Sequence, residues 1–281
     1  MVCKEDIKFS LRLMGIEKGN ILFVHSSLSS IGYVDGGADT VIDALLETVG
    51  EDGTIVMPTL TGWHDHFDPD LTPSGVGKIS EKFRLRKNAM RSLHPVHSVA
   101  AIGKHAEFIT GGHDKCETGC GKGTPYQKIR DLDGKILLLG VDMNRNTTMH
   151  SLEEEIDACY LKEQEIPAPV YIEDYMNKKY VLKKFPPGHR DFLSLTPVLR
   201  RKGELIEGKI GNAVVKVISV RKLFETGLEE LSKNPLHFIC NNPNCNSCHW
   251  SRLIYSKSCI DYDRYSENGC NDKHCEICVV E

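Results

Sequence analysis

The chain predicts an α/β fold, a three-layer α/β/α sandwich with a mostly parallel or mixed sheet and a smaller β-containing subdomain. Apolar strand-like runs alternate with helix-like segments through about the first 240 residues. This alternation is typical of a sheet whose two faces are both covered by helices. A hairpin-like stretch from about residue 166, followed by a strand leading into a helix, predicts the smaller part.

Each element is predicted from its local pattern. The segment "NILFVHSS" is an apolar run typical of a strand, and "ADTVIDALLETVG" has helical apolar spacing that ends at Gly50. The next predicted elements, in order, are strand "GTIVMPTL", helix "GKISEKFRLRKN", strand "HSVAAIG", helix "TPYQKIRDL" and strand "KILLLGV". Further on, "APVYIEDYMNKKYVLKKF" is a predicted hairpin, and "GNAVVKVISVRKLFETGLEELSK" a predicted strand and helix.

Composition limits the class of protein. With 281 residues, the chain can form one sizeable core or two smaller domains. Its 40% hydrophobic and 26% charged residues are typical of a globular protein, and a net charge of -4 argues against nucleic-acid binding. The sequence has neither a signal core nor an apolar run near the ~18 residues of a membrane span. We therefore expect a cytoplasmic protein without a membrane partner, and the charge is compatible with a cationic ligand.

The last 42 residues are rich in cysteine and predict a boundary between residues 1–239 and a tail, 240–281. Seven of the eleven cysteines lie between Cys240 and Cys278. The tail has two C-x2-C pairs, and four thiolates could bind a structural zinc ion tetrahedrally. An iron–sulfur site, haem attachment at "CNSCH" and cysteines without metal remain alternatives. The candidate zinc ligands are Cys245, Cys248, Cys275 and Cys278.

Two loops after predicted strands are candidates for ligand binding, because ligands of such sheets bind beyond the carboxyl ends of the strands. The loop "HSSLSSIGYVDGG" offers hydroxyls and accessible backbone N–H groups to a pyrophosphate, although a turn with a helix cap has the same composition. The segment "RSLHPVHS" fits either a phosphate site or a polar turn. Neither the first loop nor "GCGKGT" satisfies the P-loop pattern.

A third candidate is "NTTMHSLEEE". If a helix begins near Thr147 or Thr148, His150 and Glu153 lie one turn apart on the same helix face. A carboxylate beside an imidazole orients the ring and makes it a better proton acceptor, which is what general base catalysis requires. A solvated pair on a helix surface has the same spacing. One histidine and one glutamate are too few ligands for zinc.

Taken together, these motifs occur in an order and spacing that resembles the aminoglycoside 3-N-acetyltransferase family, from about residue 5 to 239. The resemblance implies transfer of an acetyl group from acetyl-CoA to an amino group of an aminoglycoside, the 3-amino group of its deoxystreptamine ring, or of a related amino sugar. It implies that His150 and Glu153 are the catalytic pair and that Thr147 positions them. The residues that match coenzyme-binding segments are Ser27, Leu28, Ser29, Ser30, Ile31, Arg91 and Ser98.

The acceptor follows less directly from the sequence. A polycationic amino sugar would be held by carboxylates, and the candidates are Asp65, Glu154 and Asp157, each also compatible with a surface position. Ser29 stands where many relatives have a basic residue, and the segment after "PTLT" differs from those of known resistance enzymes. An acyltransferase for a non-antibiotic amine and a non-catalytic metal-binding or sensing protein therefore remain alternatives.

Overall fold

The computed structural model of the chain describes residues 1–61, 67–167, 179–185 and 189–258. The strands are β1 (Ile21–Ser26), β2 (Thr54–Pro58), β3 (Met90–Arg91), β4 (Val99–Gly103), β5 (Lys135–Leu139), β6 (Lys162–Pro167), β7 (Lys179–Phe185), β8 (Ile206–Ile210) and β9 (Ala213–Ser219). The helices are α1 (Lys4–Leu13), α2 (Leu28–Ile31), α3 (Gly37–Val49), α4 (Lys78–Arg84), α5 (Ala106–Thr110), α6 (Pro125–Asp131), α7 (Met149–Glu155), α8 (Thr196–Arg201), α9 (Val220–Lys233) and α10 (Asn246–Ser258).

The main sheet has the strand order β3-β4-β2-β1-β5-β9-β8. Its central strands β2, β1 and β5 are parallel, whereas β4, β9 and β8 pair antiparallel with their neighbours. The α/β prediction is therefore confirmed, with a mixed sheet. The strands β6 and β7 form a separate antiparallel pair.

Alternate residues of the central strands face two different hydrophobic cores, as strand geometry requires. On β1, Leu22 and Val24 belong to the core beneath α1, α3 and α4. Their neighbours Ile21 and Phe23 belong to the core beneath α6, α7 and α9. The sheet is thus buried on both faces, which explains why the central strands are continuous apolar runs in the sequence.

Two predicted details differ from the structure. The segment predicted as a hairpin starts at residue 168, but the first strand of the pair, β6, is Lys162–Pro167, and residues 168–178 lie outside the described residues. Helix α7 begins at Met149 after Thr148, yet the Thr148 side chain makes no capping hydrogen bond. Burial of Met149 and Leu152 holds this helix in place, so packing rather than a cap determines its position.

The described part of the cysteine-rich segment, residues 240–258, packs against the rest of the chain. Cys248 is buried in a small core with Ala158, Tyr160 and Ile239. The boundary predicted at residue 240 stays a prediction. Among the described helices, none combines the length and the apolar character that a membrane span requires.

Candidate functional site

A cavity of about 960 Å³ lies at the carboxyl ends of the three parallel strands. Ser26 at the end of β1 is paired with Leu139 at the end of β5, and Pro58 ends β2 nearby, so the loops that follow meet at one edge of the sheet. The cavity walls come from these loops, from residues 75–78 before and at the start of α4, and from His150 of α7. The volume is typical of a small-molecule site.

His150 lies at the cavity wall and is held from behind by a buried ion pair. Its Nδ1 atom is 2.7 Å from Oε2 of Glu153. The other carboxylate oxygen, Oε1, accepts a hydrogen bond from Nε of Arg190. The Glu153 side chain is fully buried and that of Arg190 nearly so, whereas 21% of the His150 side chain is exposed. The predicted pairing of His150 with Glu153 is therefore present in the structure.

The charge of Glu153 determines which ring nitrogen of His150 faces the cavity with a lone pair. Burial by itself would raise the pKa of Glu153, but the hydrogen bond and charge of His150 and the guanidinium of Arg190 outweigh it and lower this pKa. An ionised Glu153 accepts a hydrogen bond from Nδ1–H of His150. Nε2 then keeps its lone pair and can accept a proton.

Neighbouring side chains fix the orientation of this group. The ring of Phe192 packs edge-on against that of His150, with ring centroids 5.0 Å apart. The guanidinium of Arg190 lies over the Tyr160 ring at 4.6 Å. Thr147 is buried, lines the cavity, and its carbonyl accepts a hydrogen bond from the backbone N–H of His150 at 3.1 Å. A positioning role of Thr147 stays a prediction.

Several other histidines lie buried around the site, and burial keeps them neutral. Desolvation lowers the pKa of His25 to about 3, and for His97 burial together with the nearby His150 has the same result. Both line the cavity, and the His97 ring centroid is 6.4 Å from that of His150. The His94 ring lies near that of His97, and His113 stacks on His94. Burial also lowers the pKa values of His94 and His113. The His97 ring, which lies near that of His150, is thus an uncharged imidazole.

The predicted serine loop contributes to the cavity through its first residues. Ser27, Leu28 and Ser29 line the wall. The Ser30 hydroxyl donates a hydrogen bond to Oγ of Ser27 at 2.9 Å, which links the serines within the loop. Ile31 instead belongs to the hydrophobic core. Gly140 has φ of +69°, and a Cβ atom there would lie 2.6 Å from Cβ of Ser30. The loop can therefore pack against the end of β5 only because residue 140 is glycine.

Arg91 is partly buried and Ser98 is buried, and neither lines the cavity formed by the described residues. The Arg91 guanidinium donates to the carbonyls of Thr59, Pro69 and Thr72. Ser98 is fully buried and donates to the carbonyl of Thr59 at 2.9 Å. These bonds tie the loop before α4 to β2. A coenzyme contact of either side chain stays a prediction.

Two of the predicted acceptor residues, Glu154 and Asp157, are not among those that line the described cavity. Oε1 of Glu154 accepts a hydrogen bond from the backbone N–H of Cys120 at 3.2 Å, and Asp157 is exposed just beyond the end of α7. Asp65 lies outside the described residues. Among the residues that line the described cavity, Asp142 is the one carboxylate. Acceptor contacts of Asp65, Glu154 and Asp157 stay predictions.

Sequence reasoning missed several cavity residues whose position depends on the fold. Asp142, Lys78 and Arg145 are the acidic and basic side chains of the described wall besides its histidines. Lys78 begins α4, and Arg145 follows β5 in a short 3₁₀ helix. Arg190 and Phe192 belong to the sequence "GHRDF", whose polar and aromatic character after two prolines was the available signal.

Two of the predicted metal ligands lie together in the structure. Cys245 and Cys248 form a group with Cys240 and His189, in which all potential ligand atoms lie within 4.8 Å of one another. Cys275 and Cys278 lie outside the described residues. Metal binding by the predicted set of four cysteines therefore stays a prediction.

Comparison with known proteins identifies the family. The sequence profile described as aminoglycoside 3-N-acetyltransferase matches residues 23–232, most of the chain. The chain belongs to the aminoglycoside 3-N-acetyltransferase family. An aminoglycoside N(3')-acetyltransferase-like protein of Bacillus subtilis, YokD, is 33% identical over 77% of this chain and 88% of its own length. Aminoglycoside N(3)-acetyltransferase IV of a Salmonella species is 30% identical over 84% of this chain and 90% of its own length.

Solved structures agree with this family assignment. One of them is a mutant of aminoglycoside acetyltransferase AAC(3)-IVa in complex with a gentamicin. It superposes on the present chain with a TM-score of 0.82 and 28% sequence identity, and the match covers 90% of the present chain and 97% of the mutant's chain. The predictions of the family, the α/β fold and an acyltransferase enzyme are confirmed. The cavity with His150 at its wall is thus the candidate active site of an aminoglycoside 3-N-acetyltransferase family enzyme.

Proposed function

We propose that this family member transfers the acetyl group of acetyl-CoA to an amine of an aminoglycoside, the 3-amino group of the deoxystreptamine ring, or of a related amino sugar, with His150 as general base. One observation carries the proposal: the only exposed member of the buried Arg190–Glu153–His150 group is the imidazole, and it lies at the wall of a cavity of ligand size. The structural relative in complex with a gentamicin supports an amino-sugar acceptor.

An alkylammonium group has no lone pair, so it first gives up one proton to solvent. The neutral amine must then lose a second proton as it attacks, and this step requires a base. His150 Nε2 takes a proton from the amine as the nitrogen attacks the thioester carbonyl, and a C–N bond forms. The tetrahedral intermediate collapses when the C–S bond breaks. The proton on His150 then passes to the sulfur of the leaving coenzyme A thiolate. Throughout, Glu153 holds the ring and stabilises its positive charge, while Arg190 keeps Glu153 ionised in a buried position.

The anionic groups of acetyl-CoA would bind at the cationic and serine-rich side of the cavity. Ser27 and Ser29 offer hydroxyls, and Lys78 and Arg145 offer positive charge on the same wall. Both cations have exposed side chains. A phosphate oxygen is the usual partner of such a combination of hydroxyls and cations. Arg145 and Lys78 would compensate for the absence of a basic residue at position 29.

Asp142 would bind an ammonium group of the acceptor. It lies three residues after β5, lines the cavity, and 42% of its side chain is exposed. One carboxylate oxygen pairs with Lys216 and the other accepts a hydrogen bond from the backbone N–H of Met143 at 2.7 Å. These two bonds fix its orientation. A second ammonium group of a polycationic sugar would then be held while the reacting amine meets His150.

A zinc ion in the cysteine-rich segment would be a structural part of the enzyme. Three of its cysteines and a histidine supply four candidate ligands, and a zinc ion with four protein ligands has no open position for a substrate. The acetyl transfer proposed above therefore does not involve metal chemistry.

The test is release of free coenzyme A from acetyl-CoA with a panel of gentamicin, apramycin and simple alkylamines, analysed by mass spectrometry so that the protein's cysteines do not interfere. We expect acetylated amino sugars and a loss of kcat of about 10²- to 10⁴-fold in His150→Ala. His105→Ala is the matched control, because His105 lies outside the cavity wall at the start of α5 and should keep full activity. Full turnover by His150→Ala, or acetylation of alkylamines alone, contradicts the proposal.

A further inference from the structure

Four potential metal ligands converge where the cysteine-rich segment meets the loop that carries Arg190. They are the side chains of His189, Cys240, Cys245 and Cys248, and every pair of their ligand atoms lies within 4.8 Å. The cysteines follow a C-x4-C-x2-C spacing, with Cys245 just before α10 and Cys248 in its first turn. The histidine comes from a distant position, 59 residues before Cys248. We infer that these four side chains bind a structural zinc ion.

The distances match those expected around a single tetrahedral ion. Nδ1 of His189 is 3.5 Å from Sγ of Cys248 and 3.6 Å from Sγ of Cys245. Zinc bond lengths of ~2.3 Å to sulfur and ~2.0–2.1 Å to nitrogen, at tetrahedral angles, place these atoms about 3.6 Å apart. Three thiolates and one imidazole are also a common ligand set of structural zinc sites. The limit of 4.8 Å across the group leaves room for one ion rather than for a multinuclear iron–sulfur cluster, whose ligands lie on different irons.

The site differs from the set that the sequence alone suggests. It keeps Cys245 and Cys248 and is completed by Cys240 and His189 instead of a second C-x2-C pair. Cys248 is fully buried and the other cysteines are partly buried, so the ion would be shielded from water on that side. The carbonyl of His189 also contacts Sγ of Cys248 at 3.5 Å. The histidine backbone and the cysteine segment are therefore already in contact.

The ion would hold the loop that supports the catalytic histidine. His189 precedes Arg190, whose guanidinium binds Glu153, and Nη1 of Arg190 donates to the His189 carbonyl at 2.8 Å. Two residues later, Phe192 packs against the ring of His150. A zinc ligand at position 189 thus restrains the start of the segment that carries Arg190 and Phe192. We assign His189 and the cysteines as positioning residues, and this part of the inference rests on the proposed acetyl transfer.

Metal content of the full-length chain, measured by mass spectrometry of the metal, tests the binding itself. We expect one zinc per chain in the wild type and in the double variant Cys275→Ser/Cys278→Ser, and loss of zinc in His189→Gln and Cys245→Ser. Cys159→Ser is the matched control, because Cys159 is an exposed thiol outside the group. Zinc that persists in both ligand variants, or that is lost in the Cys275/Cys278 double variant, overturns the assignment.

Cobalt replacement provides a test that does not depend on the folding of variants. The zinc of the wild-type protein is removed with a chelator and Co²⁺ is added. We expect absorption bands of a tetrahedral cobalt–thiolate centre, including thiolate-to-metal charge transfer. A spectrum of octahedral Co²⁺ with oxygen ligands, or disulfides among Cys240, Cys245 and Cys248 with no metal, refutes the site.

Kinetics test the positioning role. Removal of zinc should lower kcat about 10-fold or more while the KM for acetyl-CoA is unchanged, and added zinc should restore kcat. A merely stabilising ion would lower the amount of folded enzyme and leave the kcat of the folded fraction unchanged, which would contradict the positioning role. If no amine is acetylated by any form of the protein, the proposed function fails, whereas the metal content and the cobalt spectrum still decide the site.

Discussion

Replacing Glu153 by glutamine tests how the buried ion pair sets the state of the catalytic histidine. One oxygen of Glu153 accepts from Nε of Arg190, and the other faces Nδ1 of His150 at 2.7 Å. The Arg190 donor requires that the amide oxygen of the glutamine face it. The amide NH₂ group must then face Nδ1, which has to accept. The proton of the neutral ring moves to Nε2, so the ring presents a donor to the incoming amine instead of a lone pair.

The expected fall in kcat follows from the loss of the base, and the expected loss of stability follows from the loss of the buried charge. We expect Glu153→Gln to lower kcat by about 10²- to 10⁴-fold, the usual contribution of a positioned base. It also leaves the Arg190 guanidinium, whose side chain is 1% exposed, without its counter-ion. Breaking a buried pair in this way costs about 3–5 kcal/mol of the free energy of unfolding. The matched control is Glu155→Gln on the same helix, because Glu155 pairs with Arg130 at 3.3 Å near the surface, where a pair contributes about 0–1 kcal/mol.

The assay is steady-state coenzyme A release together with urea unfolding at several pH values. Because the folded pKa of Glu153 is lowered from the usual 4.5, its charge stabilises the fold above the unfolded pKa. This contribution is lost as the pH falls through the folded pKa. The stability gap between wild type and Glu153→Gln should therefore be full at neutral pH and shrink below about pH 4.5. A kcat within about threefold of wild type, or a gap that does not change with pH, refutes the reasoning.

Three further predictions concern the cavity. Arg91→Met should lower the free energy of unfolding by about 3 kcal/mol, because buried carbonyls lose their donor. The KM for acetyl-CoA should stay unchanged. A raised KM at unchanged stability would instead support a direct coenzyme contact. Gly140→Ala should lower the free energy of unfolding by about 1–3 kcal/mol and raise the KM for acetyl-CoA, since a Cβ atom at φ of +69° meets Ser30. Unaltered thermal unfolding and an unaltered KM would disprove this. Asp142→Asn should raise the KM for a polycationic amine about 10-fold at unchanged kcat, and this KM should depend less on salt than in wild type. An unaltered KM would show that Asp142 does not bind the acceptor.

Much of the fold and one part of the site could be predicted from local pattern. The strands β1, β2, β4 and β5 are apolar because they are covered on both faces, so their positions follow from composition alone. His150 and Glu153 are one helical turn apart, and helix geometry brings such residues together whatever surrounds them. The first residues of the serine loop reach the cavity for a similar reason, since they follow β1 directly.

The partners of these residues could not be predicted, because they come from distant parts of the chain. Arg190 lies 37 positions after Glu153, and no local spacing relates a guanidinium on a loop to a carboxylate on a helix. The same holds for Arg91, whose charge suggested a phosphate ligand. Its guanidinium also donates to carbonyls just after β2 and in the following loop, which only the packed structure brings within reach.

The sequence by itself determined the family, because its motifs keep their order and spacing along the chain. It also determined the alternation of strands and helices and the pair His150 and Glu153, because these depend on residues close together in the chain. Only the tertiary structure decided that Glu153 is buried against Arg190, that Asp142, Lys78 and Arg145 share the cavity, and that His189 joins the cysteines. These contacts depend on the order of strands in the sheet and on the loops that the order brings together. They are non-local, so periodicity and spacing carry no record of them.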